Sequence, residues 1–338
     1  MGEAIITRKK IITVVYSGGG TLVVSAPPNA TVTVTNGTKT YTKSADSSGS
    51  VTFEGLTTGT WTITASKSGN TNSTTIDIVV DYEGIIEYDG VPIFTYTGSY
   101  QIVDDSNNVI QDTDGNWKIR FLTSGKLTFS KLRTAANGID VFCVGGGANG
   151  QNGSSSGTYD AVDGGDGGSG GKTTTKKGVS VVTGTEYTIT VGGAGGQTSA
   201  FGVSAAGGTI STGGSGGGKG GAYNIAAGSG GSDGSDGGAG GWNYPDSTGQ
   251  GTTTREFGES GATLYSGGGG GGGGRYGATY GSRGSGGAGG GGAGGKRANG
   301  VAGTANLGGG GGGGGSDVTG YSGGAGGSGI VVIRNARG

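Results

Sequence analysis

The chain has 338 residues, of which 91 are glycine, and its 22 basic and 23 acidic residues leave a formal net charge of −1. It contains no histidine and a single cysteine, Cys143. This excludes a disulfide framework, a multi-cysteine metal site and the usual imidazole general base, so we expect a non-enzyme without metal or cofactor. The balanced charge argues against nucleic-acid binding, and no apolar run is long enough for a spanning helix, so we expect no membrane insertion.

Residues 1–16 form a short mixed segment, followed by the serine and glycines of residues 17–20, which have the composition of a flexible linker. Two interpretations are open. The segment is either an arm that attaches the protein to a larger assembly or an edge strand of the domain that follows it.

Residues 17–85 are predicted to form a small β-sandwich. Short β-branched runs separated by turn residues are typical of strands. The Asn36-Gly37 pair between two alternating runs predicts a hairpin with a type I′ turn. The stretch from residue 32 to 69 resembles prealbumin-like or carboxypeptidase-regulatory-like modules, and the resemblance implies a spacer. The predicted strands are residues 21–25, 31–35, 39–43, 50–53, 61–65 and 75–80.

Residues 86–144 are predicted to supply further strands that frame the C-terminal domain. Candidates lie at 94–103, 116–122, 126–129 and 140–144, with a turn at Asp114-Gly115. The apolar segment 330–334 near the C-terminus is another strand candidate, and we expect it to pair with a strand at the other end and close the domain.

Composition changes abruptly after Val144: residues 1–144 hold 15 glycines and residues 145–338 hold the other 76. A disordered linker is one interpretation of such a tract. Strand-like pieces and short clean glycine runs keep interrupting it, which a linker does not need. Collagen requires glycine at every third position with abundant proline, and the tract contains only Pro245.

A lattice of packed polyglycine II helices fits the tract better. Glycine can adopt this extended three-residue-per-turn geometry and keeps its N–H, so neighbouring helices can hydrogen-bond to one another. A buried segment must then be nearly pure glycine, whereas an edge segment can carry a side chain at one position in three. Residues 267–274 and 308–315 are unbroken runs of eight glycines, and residues 228–240 and 286–295 keep glycine at every third position. The expected fold is therefore all-β N-terminal modules followed by a polyglycine II domain over 145–338, with essentially no α-helix.

Loops that join the glycine segments carry nearly all the aromatic side chains of the tract. Aromatic, arginine and serine residues on loops held by a rigid scaffold are typical of recognition surfaces. The alternative is that these aromatics cap the ends of the lattice and shield it from water. The candidate receptor-binding residues are Trp242, Tyr244, Tyr265, Arg275, Tyr276, Tyr280, Arg283 and Tyr321.

Several pieces in a fixed order resemble the glycine-rich domain of bacteriophage and prophage tail proteins. They are residues 140–147 (DVFCVGGG), 187–196 (YTITVGGAGG), the polyglycine runs and 327–334 (GSGIVVIR). Similar tail-fibre adhesins fold as polyglycine II sandwiches with receptor-binding loops at the tip. Loop sequences differ between such adhesins, so the resemblance identifies no receptor-contact residue. These adhesins also lack the N-terminal β-modules predicted for this chain.

The resemblance implies a virion structural protein, assembled in the bacterial cytoplasm. It would be a tail-associated adhesin that contacts other virion proteins through its N-terminal region and a host receptor through its loops. Two oligomeric states are open for such a protein, a homotrimer with tail-fibre symmetry and a monomer. An architectural head-fibre or decoration protein without a specific receptor is the alternative, and an antifreeze-type glycine protein is a third, less favoured one.

Overall fold

The computed structural model describes residues 14–17, 21–57, 59–78, 92–109, 116–132, 138–156, 161–222, 225–240 and 247–337. The chain divides into two compact units, Met1–Tyr88 and Asp89–Gly338. Both are built from small antiparallel sheets, and the described residues contain no α-helix. No described segment is a helix long and apolar enough to cross a membrane.

The first unit consists of two antiparallel sheets packed face to face, of order β1-β2-β5 and β4-β3-β6-β7. Inward side chains from both sheets, among them Leu22, Val34, Phe53 and Trp61, form one apolar core. The strand predictions for this unit are confirmed over the described residues, with boundaries shifted by up to five residues, and residues 79–80 of the last predicted strand lie outside the described part. The strands are β1 Val14–Ser17, β2 Thr21–Ser25, β3 Thr31–Thr35, β4 Thr40–Ser44, β5 Ser50–Phe53, β6 Gly59–Lys67 and β7 Asn70–Ile78.

Two predictions for this unit are resolved by the pairing. Strand β1 lies at the edge of its sheet beside β2, so residues 14–17 form the edge strand that was one of the two interpretations. Residues 1–13 lie outside the described part. The β3–β4 hairpin is confirmed, but its type I′ turn is wrong. Only Gly37 has positive φ (84°), and the loop spans four residues because the Asn36 side chain accepts hydrogen bonds from the N–H groups of Thr38 and Lys39.

In the second unit a five-stranded sheet of order β13-β12-β19-β10-β9 packs against a three-stranded sheet of order β14-β11-β8. The predicted pairing across the glycine tract is confirmed, because β12 and β19 are antiparallel neighbours. The turn predicted at Asp114-Gly115 lies outside the described residues. The strands are β8 Ile93–Tyr96, β9 Tyr100–Val103, β10 Lys118–Phe121, β11 Gly125–Lys131, β12 Ile139–Val144, β13 Thr173–Val179, β14 Glu186–Ile189, β15 Thr198–Ala200, β16 Val203–Ala205, β17 Arg275–Tyr276, β18 Thr279–Tyr280 and β19 Ile330–Asn335.

Strand β12 is buried along its whole length because both faces of its sheet are covered. Val141 and Cys143 point into the core between the two sheets, and Phe142 and Val144 point into a second core on the opposite face. Burial raises the pKa of the Cys143 thiol to about 12. Cys143 is thus an inert core residue, as its apolar neighbours in the sequence indicated.

Between β12 and β19 the chain forms what we call the glycine scaffold, the hydrogen-bonded segments between residues 145 and 329. The runs 267–274 and 308–315 are buried throughout, as predicted for central segments. They lie parallel, because the N–H groups of Gly310, Gly313 and Ser316 donate to the carbonyls of Gly267, Gly270 and Gly273 at 2.8–2.9 Å. One bond every third residue joins the two runs.

Successive N–H groups of the run 267–274 donate hydrogen bonds to different neighbouring segments in turn. Gly269 donates to Gly168, Gly270 to Gly292 and Gly271 to Gly228, all at 2.8–2.9 Å, and Gly272 returns to the first neighbour at Gly165. Each central segment is therefore bonded on several sides. A methyl group at these positions would overlap backbone carbonyls, for example that of Lys219 at position 271.

Edge segments of the scaffold keep a buried glycine at every third position and carry their side chains between these glycines. In residues 228–240 the glycines at 228, 231, 234, 237 and 240 are buried while most residues between them are exposed. At another edge, asparagine side chains accept hydrogen bonds from backbone N–H groups. The Oδ1 atoms of Asn149, Asn152 and Asn299 accept the outward N–H groups of Gly326, Gly323 and Ser322 at 2.9–3.0 Å.

Candidate functional site at the loop end of the scaffold

The two ends of the glycine scaffold differ in their surroundings. Both eight-glycine runs start beside the sheets. Gly267 comes two residues after Tyr265, which packs in the core with Val144, and a methyl group at Gly308 would meet the Val144 side chain. We call this the sheet end. Both runs stop at the other end, where polar loops replace glycine, and we call this the loop end.

Three loops reach the loop end at the same level because the runs that carry them are in register. Gly273 accepts from the N–H of Ser316 and donates to the carbonyl of Gly295, both at 2.9 Å. The chain continues from these runs into the β17–β18 hairpin, residues 296–299 and residues 316–321. The hairpin turns at Gly277, whose φ of 56° favours glycine.

Asp317 joins the three loops. Its Oδ1 accepts hydrogen bonds from Arg275 Nη1 at 3.3 Å and Tyr280 Oη at 3.2 Å, and its Oδ2 accepts from Arg297 Nε at 3.1 Å. The carboxylate also accepts the Val318 N–H at 2.8 Å. With only 6% of its surface exposed, Asp317 holds the loops in one arrangement and is not available to a ligand.

Electrostatics stabilise the ionised forms of this cluster. The Val318 N–H bond is the main cause of the lowered pKa of Asp317, and the hydrogen bonds from Arg297 and Tyr280 lower it further against the opposing effect of burial. The hydrogen bond to Asp317 raises the pKa of Arg297. The guanidinium of Arg297 also lies 4.5 Å from the centroid of the Tyr280 ring, a cation–π contact.

Part of the cluster faces solvent. The Arg297 side chain is 56% exposed although it is held by Asp317, and Tyr276 is 48% exposed. Arg283 and Lys296 are also exposed. The loop end therefore presents aromatic and cationic groups on a base fixed by the scaffold.

The structure distributes the predicted recognition residues over different environments. Tyr276, Tyr280, Arg283 and Tyr321 lie at the loop end, with Tyr280 and Tyr321 half-buried. The side chain of Arg275, another candidate receptor-binding residue, is buried and is a partner of Asp317. Trp242 and Tyr244 lie outside the described residues.

The candidate residue Tyr265 is buried as well, away from the loop end. Residues 252–266 lie at the sheet end, where Phe257 and Tyr265 pack on Phe142 and cover the outer face of the five-stranded sheet. The Tyr265 hydroxyl donates to Glu256 at 2.8 Å. This second core needs a cover of aromatic side chains, and the joining loop supplies it.

Asp317 and Arg297 are site residues that sequence reasoning missed. A signal was present, because each follows the end of a glycine segment within two residues, as Arg275 does directly. When neighbouring glycine segments are in register, the charged residues that follow their ends lie close together. Within the described ranges there is no group of three or more acidic, cysteine or histidine residues that could hold a metal ion.

The fold defines a class of protein in which strands frame an inserted glycine-rich region. The family model of the glycine-rich domain, Gly_rich_2, matches residues 123–336, more than half of the chain. The chain belongs to this glycine-rich domain family. No curated protein and no solved structure gives a significant match.

Proposed function

We propose that the glycine scaffold is a bundle of polyglycine II helices. The support is the rotation of hydrogen-bond partners along the run 267–274, which returns to the same neighbour after three residues. That periodicity matches the three residues per turn of this helix, which has no internal hydrogen bonds and so directs its polar groups outward. An eight-residue run would then be about 25 Å long at ~3.1 Å per residue.

We further propose that the protein is a bacteriophage virion protein, a tail-associated adhesin whose loop end binds a host-cell receptor. The observation that carries this proposal is the Asp317 cluster, which fixes three loops and leaves Tyr276 and Arg297 exposed. Preorganised aromatic and arginine side chains lose little conformational entropy on binding and are frequent at interface hot spots. The first unit, in this proposal, attaches the protein to other virion proteins.

Binding of labelled protein to a panel of bacterial cells tests the adhesin proposal. We expect one strain to bind the protein, and we expect Y276A combined with R297A to reduce binding at least tenfold. The matched control combines V182A and K176A, which remove an exposed apolar side chain and an exposed cation of the second unit outside these loops. Equal loss in both double variants, or binding to no strain, would contradict the proposal.

Location in the virion separates the adhesin from an architectural protein. Immunogold labelling of phage particles with an antibody against this chain is expected to decorate the tail. Labelling of the capsid instead would favour the head-fibre or decoration alternative.

A further inference from the structure

Three polar side chains outside the loop end meet in an arrangement that the proposed function does not use. Lys118 lies on β10, Asn107 lies in the turn after β9, and Glu256 lies in a short 3-10 turn at the sheet end. The Lys118 Nζ donates to Asn107 Oδ1 at 2.7 Å and to Glu256 Oε1 at 2.8 Å. An amine, a carboxamide and a carboxylate are thus in direct contact.

The surroundings polarise this group. Arg120 Nη2 donates to the same Asn107 oxygen at 2.8 Å and to Glu256 Oε2 at 3.0 Å, while Tyr265 Oη holds Glu256 from the other side. Lys118 and Glu256 are both buried. Lys118 and Arg120 therefore share one buried carboxylate.

A buried ion pair joins Lys118, Arg120 and Glu256, and Asn107 is held against it by contacts of its own. Its Nδ2 donates to Thr263 Oγ1 at 3.2 Å, and its backbone has φ of 66°, a conformation that asparagine adopts more readily than most residues. Its carboxamide oxygen accepts hydrogen bonds from Lys118 at 2.7 Å and from Arg120 at 2.8 Å. The Arg120 guanidinium is placed to stabilise negative charge that develops on this oxygen when the Lys118 amine attacks.

We propose that Lys118 and Asn107 join in an intramolecular amide bond. The Lys118 Nζ attacks Asn107 Cγ, a Cγ–Nζ bond forms, and the Cγ–Nδ2 bond breaks. Glu256 relays two protons from the Lys118 ammonium to the departing nitrogen, one before and one after the attack, so that this nitrogen leaves as ammonium. Arg120 stabilises the charge on Oδ1 during the attack. No oxidant or cofactor takes part.

The rate of this reaction depends on Glu256. Burial alone raises its pKa, but the hydrogen bond and charge of Lys118 and the charge of Arg120 outweigh burial and hold the pKa below its ordinary value. Glu256 is therefore a weak base, and we expect the bond to form slowly after folding. Asn107 lies in an exposed turn, which gives ammonia a route to solvent.

Mass spectrometry of the full-length folded protein tests the proposal. After prolonged incubation at neutral pH the intact mass is expected to be lower than the sequence mass by one ammonia. Trypsin offers a second readout, because Lys67 and Lys118 are consecutive cleavage sites and the modified Lys118 is no longer cleaved. The expected product is then a peptide from residue 68 to Arg120 that lacks one ammonia.

Ammonia loss by a succinimide at Asn107-Asn108 is distinguished by the same digest, because it leaves Lys118 cleavable. E256Q is expected to keep the full mass, and N108A, the matched neighbour, is expected to form the bond. An unmodified wild-type mass after incubation, or ammonia loss with normal cleavage at Lys118, would overturn the proposal irrespective of how well E256Q folds.

Discussion

Val144 and Ile330 are direct partners in neighbouring antiparallel strands, although the whole glycine scaffold lies between them in the sequence. Val144 is the last residue of β12 and Ile330 the first of β19, so the chain enters and leaves the scaffold at one point. The sheet thereby ties the first scaffold segment to the last. Disrupting this pair of strands is expected to affect the scaffold as well as the sheet.

Ile333→Ala tests that coupling. Ile333 is fully buried in the core between the two sheets, so its truncation is expected to destabilise the second unit by about 2–5 kcal/mol. Chemical denaturation followed by hydrogen exchange should show scaffold amides losing protection with those of the sheet. The exposed control V182A is expected to change the free energy of unfolding by less than about 0.5 kcal/mol. Unchanged scaffold protection in I333A would contradict the coupling.

A matched pair of glycine substitutions tests the packing of the scaffold. Gly312→Ala would drive a methyl group into the carbonyl of Ala293, whereas an alanine at Gly193 meets no atom within 4 Å and needs no positive φ. We expect G312A to unfold the second unit or lower its melting temperature sharply. G193A is expected to be neutral or stabilising by up to about 1 kcal/mol, because alanine reduces the entropy of the unfolded chain. Similar melting temperatures for the two variants would contradict a close-packed scaffold.

Acid is expected to loosen the loop end before it unfolds the scaffold. The folded pKa of Asp317 lies below its ordinary value, so its stabilising effect is complete above the unfolded pKa of about 3.9 and is lost as pH falls through the lower folded value. NMR or hydrogen exchange of residues 275–280 and 316–321 should follow this transition. D317N is expected to show loosened loops already at neutral pH. If the loops of D317N are as ordered as those of the wild type, Asp317 is not the residue that holds them together.

Cys143 is expected to resist alkylation in the native protein. Burial raises the pKa of the thiol to about 12, so at neutral pH almost none is present as the reactive thiolate. Iodoacetamide treatment followed by intact mass measurement should show modification only after denaturation. Rapid labelling of folded protein would mean that β12 opens readily.

Sequence patterns located the strands because alternation and turn residues are local signals. They also identified the pure glycine runs as buried, since only a segment surrounded by backbone excludes every Cβ. The placement of residues 252–266 was missed because it depends on the second face of β12. The apolar stretch at 330–333 indicated that the sheet is covered on both faces, because four consecutive buried residues point alternately to its two sides.

The loop end could be predicted only in part. Tyr276 and Arg283 lie in a loop whose polar composition indicated exposure. The joining of Arg275, Arg297 and Asp317 depends on the register between three scaffold segments that are distant in sequence. No local pattern encodes that register, which follows from how the glycine runs hydrogen-bond.

The asparagines at the scaffold edge determine where the bonding stops. An extended glycine segment with free N–H groups is a template on which another chain can dock, much as an open sheet edge is. Asn149, Asn152 and Asn299 occupy those donors with side chains of the same molecule. At these three positions the hydrogen-bonding pattern ends within the molecule, so these N–H groups are not open to a second copy of the chain.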